Sequence, residues 1–208
     1  DLCIRYNAAA IADEVYERLL YDPARPHVSI ASLPGMADRT VTLSSLGKTF
    51  SFTGWKIGWS IASPTLTAGV RAAHQFLTFA VSTPMQHAAT VALARENEAV
   101  ADLVPLFQRN RDRLAAALSD LGFAVHVPAG TYFICADHTA VAPRIGATDD
   151  QTFAINLIKR CGVAAIPPSV FYDRTDLGRP LVRFAFCKKP ETIDEAIKRL
   201  QRLSEADA

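Results

Sequence analysis

Three short apolar runs in the first 62 residues limit the architectures that this chain can adopt. The first run extends from Ala8 to Ala12, and the second is TVTLS, from Thr40 to Ser44. The third is the glycine-interrupted GWKIGWSIA, from Gly54 to Ala62. Apolar runs this short, bounded by turns, are typical of buried strands. Because helical segments alternate with them, they predict an α/β fold around a buried sheet.

The spacing of the apolar residues changes after Ser63. It predicts helices that begin near Pro64 and near Thr83, and a long helix from Glu96 to Leu121 that Gly122 ends. Further along, the sequence predicts a hairpin of FAVHV and TYFICAD, a helix capped by Thr148, strands VAAI and LVRFAFC, and a final helix ETIDEAIKRLQRL. We therefore expect two domains: residues 1–100, with the first sheet, and residues 101–208, a small α+β domain.

Charge and composition exclude several classes of function. The chain has 22 basic and 21 acidic residues, so its net charge of +1 argues against a nucleic-acid-binding protein. No apolar run reaches the roughly 18 residues that a membrane span needs. The four cysteines lie far apart without a C-x-x-C motif, and the five histidines show no metal-ligand spacing. These features predict a cytoplasmic protein with reduced thiols, no metal site and no membrane partner.

The segment SSLGKTFSFTGWKIGW, from Ser44 to Trp59, carries the strongest chemical signal. Its G-K-T triplet raises the possibility of a phosphate-binding P-loop, which requires a glycine five residues before the glycine of G-K. That position is Thr42, and the loop is not rich in glycine. The P-loop interpretation is therefore rejected.

Lysine is scarce in this chain, yet two of its six lysines, Lys48 and Lys56, lie in this apolar segment. Apolar surroundings disfavour the ammonium form of a lysine, which leaves the neutral amine available as a nucleophile towards a carbonyl. A single lysine at a strand end is more often a side chain that extends to solvent. The residues around it decide between these interpretations.

Three motifs in register resemble the pyridoxal-phosphate (PLP) aminotransferases of fold type I, classes I and II. SSLGKTFSFTGWKIGW is similar to the cofactor-lysine segment of that family, the upstream DEVYE to its D-x-x-Y motif, and LVRFAFCK to its C-terminal arginine strand. LVRFAFCK and AIPPSVFY resemble most the branch of glutamine, kynurenine, methionine and N-succinyldiaminopimelate aminotransferases. The resemblance covers essentially all 208 residues.

The resemblance implies that three residues act on the ring side of PLP. Asp13 would face the protonated pyridine nitrogen, Tyr16 would hydrogen-bond the phenolic oxygen, and Lys48 would form the Schiff base and serve as general base. From the residues alone, two other interpretations stay open. Asp13 could cap a helix over EVYERLL, and Tyr16 could be an aromatic core residue.

The resemblance places three other residues on anionic groups. Ser45 and Lys56 would bind the cofactor phosphate, and Arg183 would bind the α-carboxylate of the substrate through two parallel hydrogen bonds. Some branches of the family have arginine where this chain has Lys56. Ser45 could instead be an ordinary turn hydroxyl, and Arg183 could form a buried salt bridge. Phe171 and Tyr172, in a loop that resembles a substrate-side loop, could contact the substrate or simply pack.

Enzymes of this family are much longer than this chain. The phosphate cradle, the aromatic residue that stacks on the ring and the asparagine motif N-P-x-N-P-x-G are not found in the 208 residues. The resemblance therefore implies the C-terminal part of a PLP-transferase fold, namely part of the large-domain sheet plus a small α+β domain. It also implies that the protein is a homodimer.

We expect a PLP-dependent aminotransferase that moves an amino group between an amino acid and a 2-oxo acid. Two alternatives remain. A PLP-dependent carbon–sulfur β-lyase of the same fold would use the same residues, and a non-catalytic aminotransferase-like module would bind PLP without turnover.

Overall fold

The computed structural model describes residues 1–204. The chain divides into two compact units, Asp1–Val104 and Pro105–Ala208. The division falls inside a helix of 25 residues, Glu96–Asp120, at its internal proline. No helix in residues 1–204 is both long enough and apolar enough to cross a membrane.

The first unit is built on a three-stranded sheet of β1 (Ala10–Asp13), β2 (Thr40–Ser45) and β3 (Gly58–Ile61). β2 is central and pairs in parallel with β1 and antiparallel with β3. All three strands were predicted as apolar runs, although β3 is shorter than the run that predicted it. The parallel pair brings the carboxyl ends of β1 and β2 to one edge of the sheet.

Four helices accompany this sheet: α1 (Leu2–Arg5), α2 (Leu46–Thr49), α3 (Pro64–Leu77) and α4 (Thr83–Ala94). A proline in the first turn begins both α3 and α4, as the sequence predicts. Leu46, Phe50, Ile57 and Ala89 form a buried cluster, against which Trp59 also packs. This cluster fixes α2 and the segment before β3, which carry the lysines of interest.

The long helix α5 (Glu96–Asp120) leads into the second unit, where an antiparallel sheet has the order β4 (Ala124–His126), β5 (Phe133–Asp137), β6 (Leu181–Ala185). The expected hairpin of β4 and β5 is confirmed. α6 (Asp150–Cys161) and α7 (Pro190–Leu200) complete the unit. Alternate residues of β5 and β6 are buried and form one apolar face: Ile134, Ala136, Val182 and Phe184.

Two local predictions are wrong, and one alternative interpretation is excluded. The alternative was a helix after Asp13, but residues 15–18 form turns and residues 14–19 contain no helix. The VAAI segment is not a strand and forms one isolated bridge, between Ile166 and Arg183. The cap of α6 is Asp149, whose carboxylate accepts the Thr152 amide at 2.8 Å. Thr148 precedes the cap by one residue.

Candidate active site

Asp13 and Ser45 are the last residues of two neighbouring parallel strands, so they lie at the same edge of the first sheet. Asp13 is aligned with Leu43, and the Glu14 amide donates to the Leu43 carbonyl at 2.9 Å. Asp13 Oδ1 accepts the Val15 amide at 3.2 Å in a tight turn, and its side chain is exposed. A carboxylate and a hydroxyl are therefore presented at the carboxyl edge of the sheet, where open α/β sheets bind ligands.

Ser45 also begins the short helix that carries Lys48. Ser45 has extended backbone, and its Oγ accepts the Gly47 amide at 3.1 Å, which leaves its O–H donor for another acceptor. Leu46 and Phe50 anchor the helix in the core, while Lys48 is only half-buried. Its ammonium nitrogen lies 5.6 Å from the centre of the Tyr16 ring. The structure thus brings Lys48, Tyr16 and Ser45 together.

The turn that contains Tyr16 is tied to β2 by a carboxylate that the sequence analysis did not single out. Glu17 Oε1 accepts the Ser44 hydroxyl at 2.6 Å, and Glu17 Oε2 is buried with no hydrogen-bond partner in residues 1–204. This bond joins the residue after Tyr16 to the residue before Ser45. Glu17 could have been noticed in the sequence only as the acidic residue next to a candidate tyrosine, because its partner is 27 residues away.

Lys56 does not lie in a strand, contrary to the prediction for residues 54–62. A 3₁₀ turn, Thr53–Trp55, ends at Lys56, whose backbone is left-handed with φ 56° and ψ 42°. The strand starts two residues later at Gly58, which pairs with Ser45. A Cβ on Gly58 would lie 2.9 Å from the Ser44 carbonyl oxygen, so only glycine permits this approach. Lys56 therefore precedes the sheet at the same edge where Ser45 ends β2.

Glu14, the residue after Asp13, bonds to a loop over residues 27–30, and we call this set of contacts the Glu14 clamp. Its Oε1 accepts both the Ser29 hydroxyl and the Ile30 amide, and its Oε2 lies 2.9 Å from His27 Nε2. Burial raises the pKa of Glu14, but the hydrogen bonds from His27, Ser29 and Ile30 outweigh it, so the pKa lies below its usual value. The clamp fixes the chain immediately after β1 to the loop over residues 27–30.

Arg183 lies in the second unit, on the half-buried face of β6. Its backbone exchanges both hydrogen bonds with Ile166, at 2.9 and 3.0 Å. The guanidinium carbon lies 4.2 Å from the centre of the Phe133 ring and 5.1 Å from that of Phe171. Its Nε is buried and has no hydrogen-bond partner within the described part of the chain. A salt bridge, the alternative interpretation of Arg183, is not among the ion pairs of residues 1–204.

The donor set of the first unit fits PLP. The phosphate requires cationic and hydroxyl donors, the phenolic oxygen requires one donor, and the protonated ring nitrogen requires one carboxylate. The residues at the sheet edge that can meet these needs are Ser45 and Lys56, Tyr16, and Asp13, with Lys48 as the amine. No group of histidine, cysteine and acidic side chains in residues 1–204 is arranged to hold a metal ion.

Comparisons with known proteins support this chemistry. The sequence profile of the family described as "Aminotransferase class I and II" matches residues 1–200. A relative from Mycobacterium tuberculosis, "Probable N-succinyldiaminopimelate aminotransferase DapC", is 46% identical over 100% of this chain and 53% of its own length. Methionine aminotransferase from Escherichia coli is 38% identical over 93% of this chain and 48% of its own length. The chain spans about half the length of the curated relatives that it matches.

Solved structures give the same result for the fold. The structure of N-succinyldiaminopimelate aminotransferase from Mycobacterium tuberculosis superposes with a TM-score of 0.90 at 46% identity, covering 97% of this chain and 51% of that chain. An aromatic aminotransferase from Pyrococcus horikoshii gives a TM-score of 0.87 at 30% identity, covering 99% and 53%. The predicted fold, a partial PLP-transferase fold, is confirmed, and so is the resemblance to the branch that contains the first of these enzymes.

Proposed function

The chain belongs to the class I and II aminotransferase family, and we propose that it supplies the catalytic lysine of a PLP-dependent aminotransferase. This enzyme transfers an amino group between an amino acid and a 2-oxo acid. The observation that carries the proposal is the meeting of Asp13, Tyr16, Ser45, Lys48 and Lys56 at one edge of the sheet.

Each of these side chains has a role that its position supports. When bound, PLP withdraws electrons from the Cα of an amino acid and so makes its proton acidic. The Asp13 carboxylate would accept a hydrogen bond from the protonated ring nitrogen. The Tyr16 hydroxyl would donate a hydrogen bond to the phenolic oxygen. Ser45 and Lys56 would hold the phosphate. Lys56 offers a point charge, whereas arginine would offer a planar fork.

Lys48 would attach the cofactor through its amine and then act as general base. Its Nζ would remove the proton from the substrate Cα and return it during the transfer. The helix that carries it is anchored by Leu46 and Phe50, so the amine is displayed from a fixed backbone. The ring of Tyr16 beside Nζ limits the volume in which the amine can move.

Arg183 would bind the α-carboxylate of both substrates. In residues 1–204 the buried Nε of Arg183 has no hydrogen-bond partner, and an anion bound to the guanidinium would compensate its desolvation. A planar guanidinium matches a carboxylate with two parallel hydrogen bonds, which would fix the orientation of the Cα–H bond.

The proposal also covers the substrates of the protein, its oligomeric state and its location in the cell. The names of the relatives include N-succinyldiaminopimelate, kynurenine and methionine aminotransferases, so the substrate class is an amino acid with a 2-oxo acid acceptor. We expect a cytoplasmic homodimer whose domains correspond to residues 1–100 and 101–208 of this chain. Sedimentation of the intact polypeptide would test the assembly.

The test is an amino-transfer assay on the intact polypeptide with PLP, a panel of amino acids and 2-oxoglutarate. We expect a new amino acid and a new 2-oxo acid in equal amounts. Lys48→Ala should abolish transfer, whereas Lys159→Ala, on the exposed surface of α6, should leave it unchanged. Pyruvate and ammonia released from a cysteine conjugate without any 2-oxo acid would instead identify a β-lyase, and PLP binding without turnover would identify a non-catalytic module.

A further inference from the structure

Two aromatic rings lie against the Arg183 guanidinium, whose Nε has no hydrogen-bond partner in residues 1–204. In the register of the second sheet, Arg183 is opposite Cys135, so Phe133 is its diagonal neighbour on the same face. The backbone bonds of Arg183 point to Ile166, which makes Arg183 and Cys135 a non-hydrogen-bonded pair with closely spaced side chains. This register accounts for the 4.2 Å separation between the guanidinium carbon and the Phe133 ring centre.

The second ring comes from a short turn that is held in place at Ser169. Phe171 ends a 3₁₀ turn, Pro168–Phe171, in which the Ser169 amide donates to the buried Asp150 carboxylate at 2.7 Å. Gly178 packs against the same turn so closely that a Cβ would lie 2.5 Å from Ser169 Cα. The Phe171 side chain is 65% exposed, but the turn that carries it is anchored through Ser169.

Attraction to ring faces leaves the arginine donors available. In a cation–π contact the ring interacts with the charge of the guanidinium, whereas a carboxylate is bound by N–H groups in the guanidinium plane. A hydrogen-bonding partner would position the arginine equally well, but it would compete with the substrate for those donors. A ring avoids this competition and also excludes water from one side of the group.

We propose that Phe133 and Phe171 are positioning residues that preorganise the Arg183 guanidinium for a carboxylate. This proposal rests on the proposed function, in which Arg183 binds the α-carboxylate. It predicts that the aromatic rings contribute to the affinity for amino acids but not to the affinity for amines that lack the carboxylate. They act on substrate binding, so they should change KM and leave kcat nearly unchanged.

The experiment uses the intact holoenzyme and its best amino acid substrate. KM for the amino acid and the inhibition constant of its decarboxylated amine are measured for Phe133→Leu, Phe133→Tyr, Phe171→Leu and Phe171→Tyr. Loss of a ring should raise KM by about 2- to 30-fold, the range that cation–π energies span, with the inhibition constant of the amine unchanged. The tyrosine variants keep the ring and should retain most of the affinity.

A fluorinated series at Phe133 separates electrostatics from packing. Replacing Phe133 with mono-, di- and trifluorophenylalanine weakens the negative ring face with little change in shape, so KM for the amino acid should rise stepwise. If KM does not change across the fluorinated variants, or if the variants lose affinity for the amino acid and the amine equally, the proposed role of the rings is wrong.

Arg183→Ala, measured in parallel, distinguishes the two proposals. If it raises KM for the amino acid while the fluorinated series is flat, only the aromatic role fails. If it leaves KM unchanged, Arg183 does not bind the carboxylate, and both that part of the proposed function and the role of the rings fail.

Discussion

Glu14 is a half-buried carboxylate that holds the backbone beside the candidate site. It accepts hydrogen bonds from Ser29 and Ile30 and pairs with His27, and it directly follows Asp13. The loss of any one partner would leave the others to hold a charge that is largely removed from solvent. The hydrogen bonds that hold the segment after Asp13 therefore favour the ionised form of Glu14 and lower its pKa.

The lowered pKa of Glu14 predicts a pH-dependent contribution to stability. The folded pKa lies below the unfolded value of about 4.3, so the stabilisation is complete above that pH and is lost as the pH falls through the folded pKa. Glu14→Gln should lower the free energy of unfolding at neutral pH, because the amide cannot accept as many bonds. Urea titrations from pH 7 to pH 3 should show this difference between the proteins shrinking below about pH 4.3. If the difference in the free energy of unfolding were the same at every pH, the lowered pKa of Glu14 would be contradicted.

Local sequence suggested most of the residues of the candidate site, because the resemblance rests on residue types at fixed spacing. Lys48, Ser45 and Tyr16 are brought together in the structure as that spacing suggested. Their roles towards PLP remain predictions. Glu17 and Phe133 were not identified, because their partners Ser44 and Arg183 are 27 and 50 residues away in the chain. Their importance comes from sheet register, which a single sequence does not reveal.

The errors in the predicted elements arise where the backbone adopts a conformation that the residue types do not predict. The run from Gly54 to Ala62 reads as one strand, but Lys56 adopts a left-handed conformation that only a few per cent of residues other than glycine adopt. Ile57, which lies between the 3₁₀ turn and β3, enters the core cluster, whereas Trp55 inside the turn is exposed. Similarly, VAAI has strand composition, but it lies beside the edge strand β6 and forms only one bridge.

The N-cap of α6 is Asp149, one residue after the predicted Thr148. Its contribution to stability can be tested. Asp149 and Thr152 form a capping box in which each side chain accepts the other's amide. Asp149→Ala should lower the free energy of unfolding by about 1 kcal/mol, whereas Asp149→Asn, which keeps an acceptor, should change it by much less. Chemical denaturation of both variants measures this, and equal losses would show that the cap contributes through charge and not through hydrogen bonding. Thr148→Ala, outside the box, is the matched control.

The two units differ in how much apolar surface they bury within this chain. Nine hydrophobic residues are buried in Asp1–Val104, whereas 20 are buried in the described part of the second unit. Helix α3 in the first unit buries none of its residues, and Phe76, Leu77 and Phe79 are more than 80% exposed. The second unit therefore has the more complete core.

This difference predicts that the second unit folds without the first. Residues 105–208 expressed alone should unfold cooperatively on heating and show dispersed amide resonances, because their core residues contact one another. Residues 1–104 alone should bind a hydrophobic dye and aggregate, since their exposed apolar side chains exceed what soluble domains usually show. A non-cooperative transition for residues 105–208 would mean that the core of the second unit is insufficient.

Covalent labelling tests most directly whether Lys48 is the residue that holds PLP. The intact polypeptide is incubated with PLP, treated with borohydride so that the attachment becomes permanent, and digested for peptide mapping. We predict the pyridoxyl group on Lys48, with no label in Lys48→Ala. Stoichiometric label on any of the other five lysines, or no label at all on a folded protein, would contradict the assignment.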